Sequence, residues 1–156
     1  YIEEKSPLGT AGSLKFLEAK ISGSFLVTNC DILIESDYSK MYDFHKSNNY
    51  DITVVSSYKR YVIPYGVCEI ENGGLLKDLR EKPESNLLVN TGMYLVKTDV
   101  LKFIPQNTFY LMTDFIKDVK KSGGKVGVYP ISEKSWVDIG QWEEYREAVK
   151  RLSIEQ

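Results

Sequence analysis

The chain has 156 residues, enough for one domain with a real core. It is 42% hydrophobic and 27% charged, with a net charge of −2, a near-neutral balance that argues against the basic face of a nucleic-acid binder. No apolar run approaches the roughly 20 residues of a membrane helix, and the opening residues carry no signal-peptide pattern.

Tyr1-Ile2-Glu3-Glu4 opens the chain without an initiator methionine and reads as a cut within a domain. Pro7-Leu8-Gly9-Thr10-Ala11-Gly12 follows, ahead of a helix-like segment at residues 14–20. Gly9 and Gly12 leave the backbone bare, so a planar or phosphorylated ligand can lie against it; a tight turn leading into a helix needs the same residues. Residues 24–29 form an apolar run suited to a strand buried on both faces. Asn29-Cys30-Asp31 then falls at its carboxyl end, where open α/β sheets place ligands. Asp37 caps a helix with Tyr38, Met41, Tyr42 and His45 at helical spacing, and His45 reads as a residue of the helix surface.

Residues 51–57 suggest a second buried strand. Residues 65–70 and 75–80 flank Asn72-Gly73-Gly74, a hairpin turn. A loop covers 81–86, in which Pro83 biases Lys82 toward extended backbone. Residues 87–97 are strand-like again, interrupted by Asn90-Thr91-Gly92. Leu111, Met112, Phe115, Ile116 and Val119 mark one helix face, closed by Gly123-Gly124. A strand at 125–131 and a last helix from about Gly140, burying Trp142, Tyr145, Val149 and Leu152, complete the chain. Strands alternate with helices around one hairpin, which predicts an α/β fold with a mixed, mostly parallel sheet. Cys30 and Cys68 lie in strand-like segments without zinc-ligand spacing and read as buried thiols, which favours a cytoplasmic setting.

Asp31 at a strand end and Asp138 within Trp136-Val137-Asp138-Ile139-Gly140 are two carboxylates from distant parts of the chain. Brought together they suit a hard cation such as Mg²⁺, which takes few protein ligands and fills its shell with water and phosphate oxygens. Glu81-Lys82 offers a cation for a phosphate beside a carboxylate for sugar hydroxyls, or is a solvated loop. Asn90-Thr91-Gly92 sets an amide and bare backbone near a polar ligand, or forms a β-bulge.

In this order, PLGTAG, the strand-end aspartate, Tyr65-Gly66-Val67, EKP, NTG and W-x-D-I-G resemble the sugar-1-phosphate nucleotidyltransferases, over nearly the whole chain. The resemblance implies a Rossmann-like sheet flanked by helices and Mg²⁺-dependent transfer of a nucleoside monophosphate from a nucleoside triphosphate to a sugar 1-phosphate. By the same resemblance, Leu8, Gly9, Thr10, Ala11 and Gly12 hold base and ribose, and Asp31 and Asp138 ligate the metal. Gly66, Glu81, Asn90 and Gly92 face the sugar, while Lys82 holds its phosphate. Trp136 looks like packing that seats Asp138.

PLGTAG before a small residue and leucine looks most like the guanylyltransferases, which implies GTP; mannose, a heptose and an amino sugar all remain open. Many family members carry glycine where this chain has Cys30. The family's opening strand, glycine-rich loop with arginine and Pro-Lys pair are not in these residues. The expectation is therefore a single catalytic domain over 1–156, truncated at the N-terminus, inactive alone and prone to homo-oligomerisation. A non-catalytic regulatory subunit that binds nucleotide sugar is the alternative, and a structural α/β domain whose glycines serve turns is a third.

Overall fold

A computed structural model describes residues 2–140 and Arg146. Its elements are β1 (Ser24–Thr28), β2 (Ile32–Ile34), α1 (Tyr38–Ser47), β3 (Ile52–Val62), β4 (Val67–Ile70), β5 (Leu76–Arg80), β6 (Glu84–Lys97), α2 (Met112–Lys121), β7 (Val126–Ile131) and β8 (Trp136–Asp138). Among the described residues the central sheet has the order β1-β6-β3-β7; β6 runs antiparallel to β1 and β3, and β7 parallel to β3. This is the expected mixed α/β class. The parallel share is smaller than the alternation of strands and helices suggests. The chain returns from β3 to β6 through the β4–β5 hairpin rather than a helical crossover, so the two long strands are antiparallel.

β6 explains where the core sits. Alternate side chains point to opposite faces, so Tyr94 and Val96 join Ile52, Leu101, Phe115 and Val119 on one side. Met93 and Leu95 join Ile34, Met41, Val55 and Ile131 on the other. Both faces of the inner half of the sheet are covered, which is why its strands read as continuous apolar runs. The amphipathic α2 buries Met112, Phe115 and Val119 and ends where Gly123 turns left-handed at φ +84. Asp37 caps α1 as expected: its Oδ1 accepts the Ser39 and Lys40 N–H groups at 3.0 and 3.2 Å.

Several expectations change. The segment after the glycine turn is a 3₁₀ helix at Gly12–Leu17 rather than a longer helix. β1 is an edge strand among the described residues and only half-buried, with Leu26 exposed. The loop after Arg80 is short, since β6 starts at Glu84. His45 is fully buried rather than on the surface. It bridges three elements, Nδ1 lying 2.9 Å from Thr53 Oγ1 and Nε2 3.0 Å from Ser24 Oγ. Two short hydroxyl side chains, one in β1 and one in β3, satisfy both ring nitrogens and make burial affordable.

Cys30 and Cys68 are exposed, not buried. One lies in the turn after β1 and the other on the hairpin outside the main sheet. Exposed thiols of this kind carry no preference for a compartment. Among the described residues no helix is long and apolar enough to cross a membrane. The expected final helix, with Trp142, Tyr145, Val149 and Leu152, lies outside the described residues.

Candidate active site

Strands β1, β3 and β7 point the same way, and Thr28, Met93, Val55 and Tyr129 lie in one row across the sheet. Past that row the two outer strands continue into short segments that meet. β1 leads through Asn29–Asp31 into β2, and β7 leads through a 3₁₀ turn at Glu133–Ser135 into β8. These pair antiparallel, Ile32 opposite Asp138 and Ile34 opposite Trp136, and the Ile139 N–H donates to the Asp31 carbonyl at 2.9 Å. The two predicted metal carboxylates are thereby brought together from opposite edges of the sheet.

Gly140 lies between them. A Cβ at Gly140 would stand 3.0 Å from Asp31 Oδ2 and 3.1 Å from Asp138 Oδ1, so both carboxylates flank one point of the chain, and holding one Mg²⁺ through bonds of about 2.1 Å requires their oxygens to stand no more than about 4 Å apart. The Gly140 N–H donates to Asp138 Oδ1 at 3.1 Å. Among the described residues no third His, Cys, Asp or Glu joins a metal-binding group. Two oxygen donors beside a glycine suit Mg²⁺, which keeps most of its shell for water and phosphate, and do not suit zinc or calcium. A cavity of about 460 Å³ opens along β1, β2 and the turn between them, lined by Thr28, Asn29, Cys30, Ile34, Tyr38 and Met93 but by neither carboxylate, a size common for small-molecule sites.

Asn90, Thr91 and Gly92 form a bulge: Val55 pairs with Met93 but Ser56 with Asn90, leaving Thr91 and Gly92 as extra residues. The Asn90 side chain closes the bulge, accepting from the Gly92 N–H at 3.1 Å and donating to the Tyr94 hydroxyl at 2.7 Å. Burial pushes the Tyr94 phenol above its ordinary pKa, against the opposing effect of the Asn90 bond. Thr91 Oγ1 donates to the Val55 carbonyl at 2.8 Å. Gly92, at φ +85, leaves room for Asn29, whose Nδ2 would be 2.7 Å from a Cβ there. The bulge thus sets Asn29, two residues before Asp31, against the sheet.

Beyond Ser57, where β7 ends, β3 and β6 run on as a two-stranded ribbon. Glu81 and Gly66 meet at its far end, where Glu81 Oε2 would be 3.2 Å from a Gly66 Cβ. Lys82 is beside them, exposed, but not extended: its φ is +43. The chain reverses there, and the Ile63 N–H donates to the Pro83 carbonyl at 3.1 Å, which overrides the local bias that proline imposes on its predecessor. From Ser56 to Val62 the strand spans about 20 Å, with Glu81 and Lys82 just beyond the last pair, Val62 and Glu84.

The PLGTAG turn is packed by the chain itself. A Cβ on Gly9 would stand 2.7 Å from the Tyr110 carbonyl oxygen, and one on Gly12 2.7 Å from that of Thr108. Ala11 N–H donates to Tyr110 O and Tyr110 N–H to Leu8 O. Thr10 Oγ1 accepts the Met112 N–H at 2.8 Å, satisfying an otherwise unpaired donor at the start of α2. Leu8, Ala11 and Gly12 are buried, while Gly9 is half-buried and Thr10 exposed. The bare glycine faces that suggested a ligand are occupied by residues 108–110.

Two residues that the motifs did not single out belong to this region. Asn29 was visible only as a polar residue at a strand end. Lys59 gave no signal, yet its Nζ lies 5.4 Å from the centroid of the Trp136 ring and 3.6 Å from Glu133 Oε1.

The extensions of a mixed sheet thus bring two carboxylates from its opposite edges beside one glycine. The chain belongs to the nucleotidyl transferase family, whose model matches residues 1–154. It is 34% identical over 146 residues to a Sulfolobus acidocaldarius protein provisionally described as a mannose-1-phosphate guanyltransferase, a match covering 91% of this chain and 40% of the relative. Mannose-1-phosphate guanyltransferase 2 of Candida glabrata is 31% identical over 147 residues, covering 88% and 40%. The chain thus spans about 40% of the length of these curated relatives. The crystal structure of HddC from Yersinia pseudotuberculosis complexed with GMP-PN superposes with a TM-score of 0.68 at 23% identity, covering 97% of this chain and 65% of that one; that likeness supports the fold.

Proposed function

We propose that this chain carries part of the active site of a sugar-1-phosphate nucleotidyltransferase, with GTP as the first nucleotide to test. The observation that carries the reading is the convergence of Asp31 and Asp138 on Gly140 at the carboxyl edge of the sheet. In the reaction an oxygen of the sugar 1-phosphate forms a bond to the α-phosphorus of the triphosphate. The bond from that phosphorus to the bridging oxygen breaks in line, and pyrophosphate leaves.

Asp31 and Asp138 would hold Mg²⁺, which when bound neutralises phosphate charge. The chain's own residues do the rest by positioning. The backbone of Leu8 to Gly12 contacts base and ribose from the exposed side of the turn, through Gly9 and Thr10. Asn90 and Gly92 set the sugar against the sheet. Glu81, next to Gly66, accepts sugar hydroxyls, and Lys82 pairs with the sugar phosphate; these two roles rest on the family motif. The guanyltransferase names of the relatives support GTP and a mannose-type sugar.

The test is pyrophosphate release by the full-length protein with Mg²⁺, a set of nucleoside triphosphates and a panel of sugar 1-phosphates. Release with GTP and one sugar is expected. A folded protein that releases none under any pairing would instead favour a binding subunit of the same fold.

A further inference from the structure

We propose that Lys59 is a positioning residue for the carboxylate pair, an inference that rests on the metal reading above. The β2–β8 ribbon is two strands of three residues each, forming its own small sheet. Such a ribbon is marginal alone and depends on what it packs against. Its fastening on the β8 side is Trp136, which stands two residues before Asp138 and so projects from the same strand face.

Trp136 packs against the cluster that contains Ile34, Val55 and Met93. Its indole N–H is buried and has no acceptor among the described residues. No hydrogen bond therefore sets the angle of the ring. The polar contact that does act on it is Lys59, whose ammonium lies over the ring, 5.4 Å from its centroid, and pairs with Glu133 Oε1 at 3.6 Å. A cation over an indole is attracted by the ring's quadrupole, more so when partly shielded from water. The Lys59 side chain is 27% exposed.

Lys59 sits on β3 opposite Leu87 of β6, at the root of the long ribbon. Next to it, Ser57 Oγ donates to the Ser132 carbonyl at 3.4 Å, so the turn before β8 is tied to the same strand. Lys59, Glu133 and Trp136 form a clamp that joins the rigid sheet to the strand carrying Asp138. Removing the charge frees the ring to rotate and lets Asp138 drift from Asp31. A site for Mg²⁺ tolerates little such drift.

The test is Mn²⁺ binding to the protein, followed by electron paramagnetic resonance, with urea denaturation of the same samples. Lys59→Met keeps the stem and removes the charge. It should bind Mn²⁺ about tenfold more weakly, the scale seen when a support behind metal ligands is lost. Lys59→Arg, which can stack on the ring, should restore binding. A merely structural lysine would lower the urea midpoint and leave Mn²⁺ affinity of the folded protein unchanged, and that result overturns the proposal. An arginine variant as weak as the methionine one also overturns it, since charge would then not be the agent. If Lys59→Met does not fold, Glu133→Gln at the exposed end of the clamp takes its place, with a several-fold loss expected and no change refuting. If the wild type and Asp138→Asn are equally indifferent to Mn²⁺, the carboxylate reading itself fails and this inference falls with it.

Discussion

Gly140→Ala separates the carboxylate pair as a cation site from the pair as mere neighbours. The added methyl would stand 3.0 Å from Asp31 Oδ2 and 3.1 Å from Asp138 Oδ1, tighter than nearly all real Cβ contacts, so each carboxylate must yield by a few tenths of an ångström. Mg²⁺ demands near-ideal bonds of about 2.0–2.1 Å, and a displacement of that size exceeds the tolerance of roughly 0.2 Å. We expect Mn²⁺ affinity to fall at least about tenfold, or ~1.4 kcal/mol. Folding should be spared. Gly140 is not among the glycines in left-handed backbone, so alanine is permitted there, and its smaller unfolded-state entropy offsets part of the crowding. The assay is Mn²⁺ titration beside a urea melt. Unchanged affinity with the methyl in place would refute a cation held between these two oxygens.

Gly92→Ala should act on the fold instead. Its Cβ would fall 2.7 Å from Asn29 Nδ2 at a φ of +85, so steric and backbone strain combine at a cost of about 1–3 kcal/mol, read as a lowered urea midpoint. His45 predicts a pH dependence. Burial, then Lys97 and Lys46, hold its pKa below the ordinary 6.5, with Asp51 opposing. The unfolded chain therefore binds the proton first as pH falls, and stability present above pH 6.5 is lost on going down through the folded pKa. Urea midpoints should drop between pH 7.5 and 5.5, and His45→Gln should flatten that slope.

Placement was legible wherever a residue type can do few things. Asp31 and Asp138 stood out because carboxylates at a strand end and beside a glycine have limited uses, and the structure pairs them. Asp37 and Gly123 were read correctly because capping is local. What escaped depends on partners far along the chain. His45 looked like a surface residue because nothing near it reveals the Ser24 and Thr53 hydroxyls that satisfy it. Proline logic made Lys82 extended, yet the return of β6 onto β3 forces a reversal at that point. The glycines of PLGTAG were noticed for the right property, absence of a side chain, but the structure fills that space with residues 108–110. Lys59 is an ordinary exposed-looking lysine until Trp136 is seen beneath it.

β6 is one strand by its ladder of hydrogen bonds and two by its surroundings. Residues 93–96 are buried, while most of 84–90 is open to water, with the left-handed Gly92 at the junction. Opening the inner half means dismantling both halves of the core, so it carries nearly the free energy of global unfolding; opening the outer half exposes little that is not already wet. The ribbon tip with Glu81 and Lys82 can thus unzip and reclose many times within the lifetime of the folded sheet.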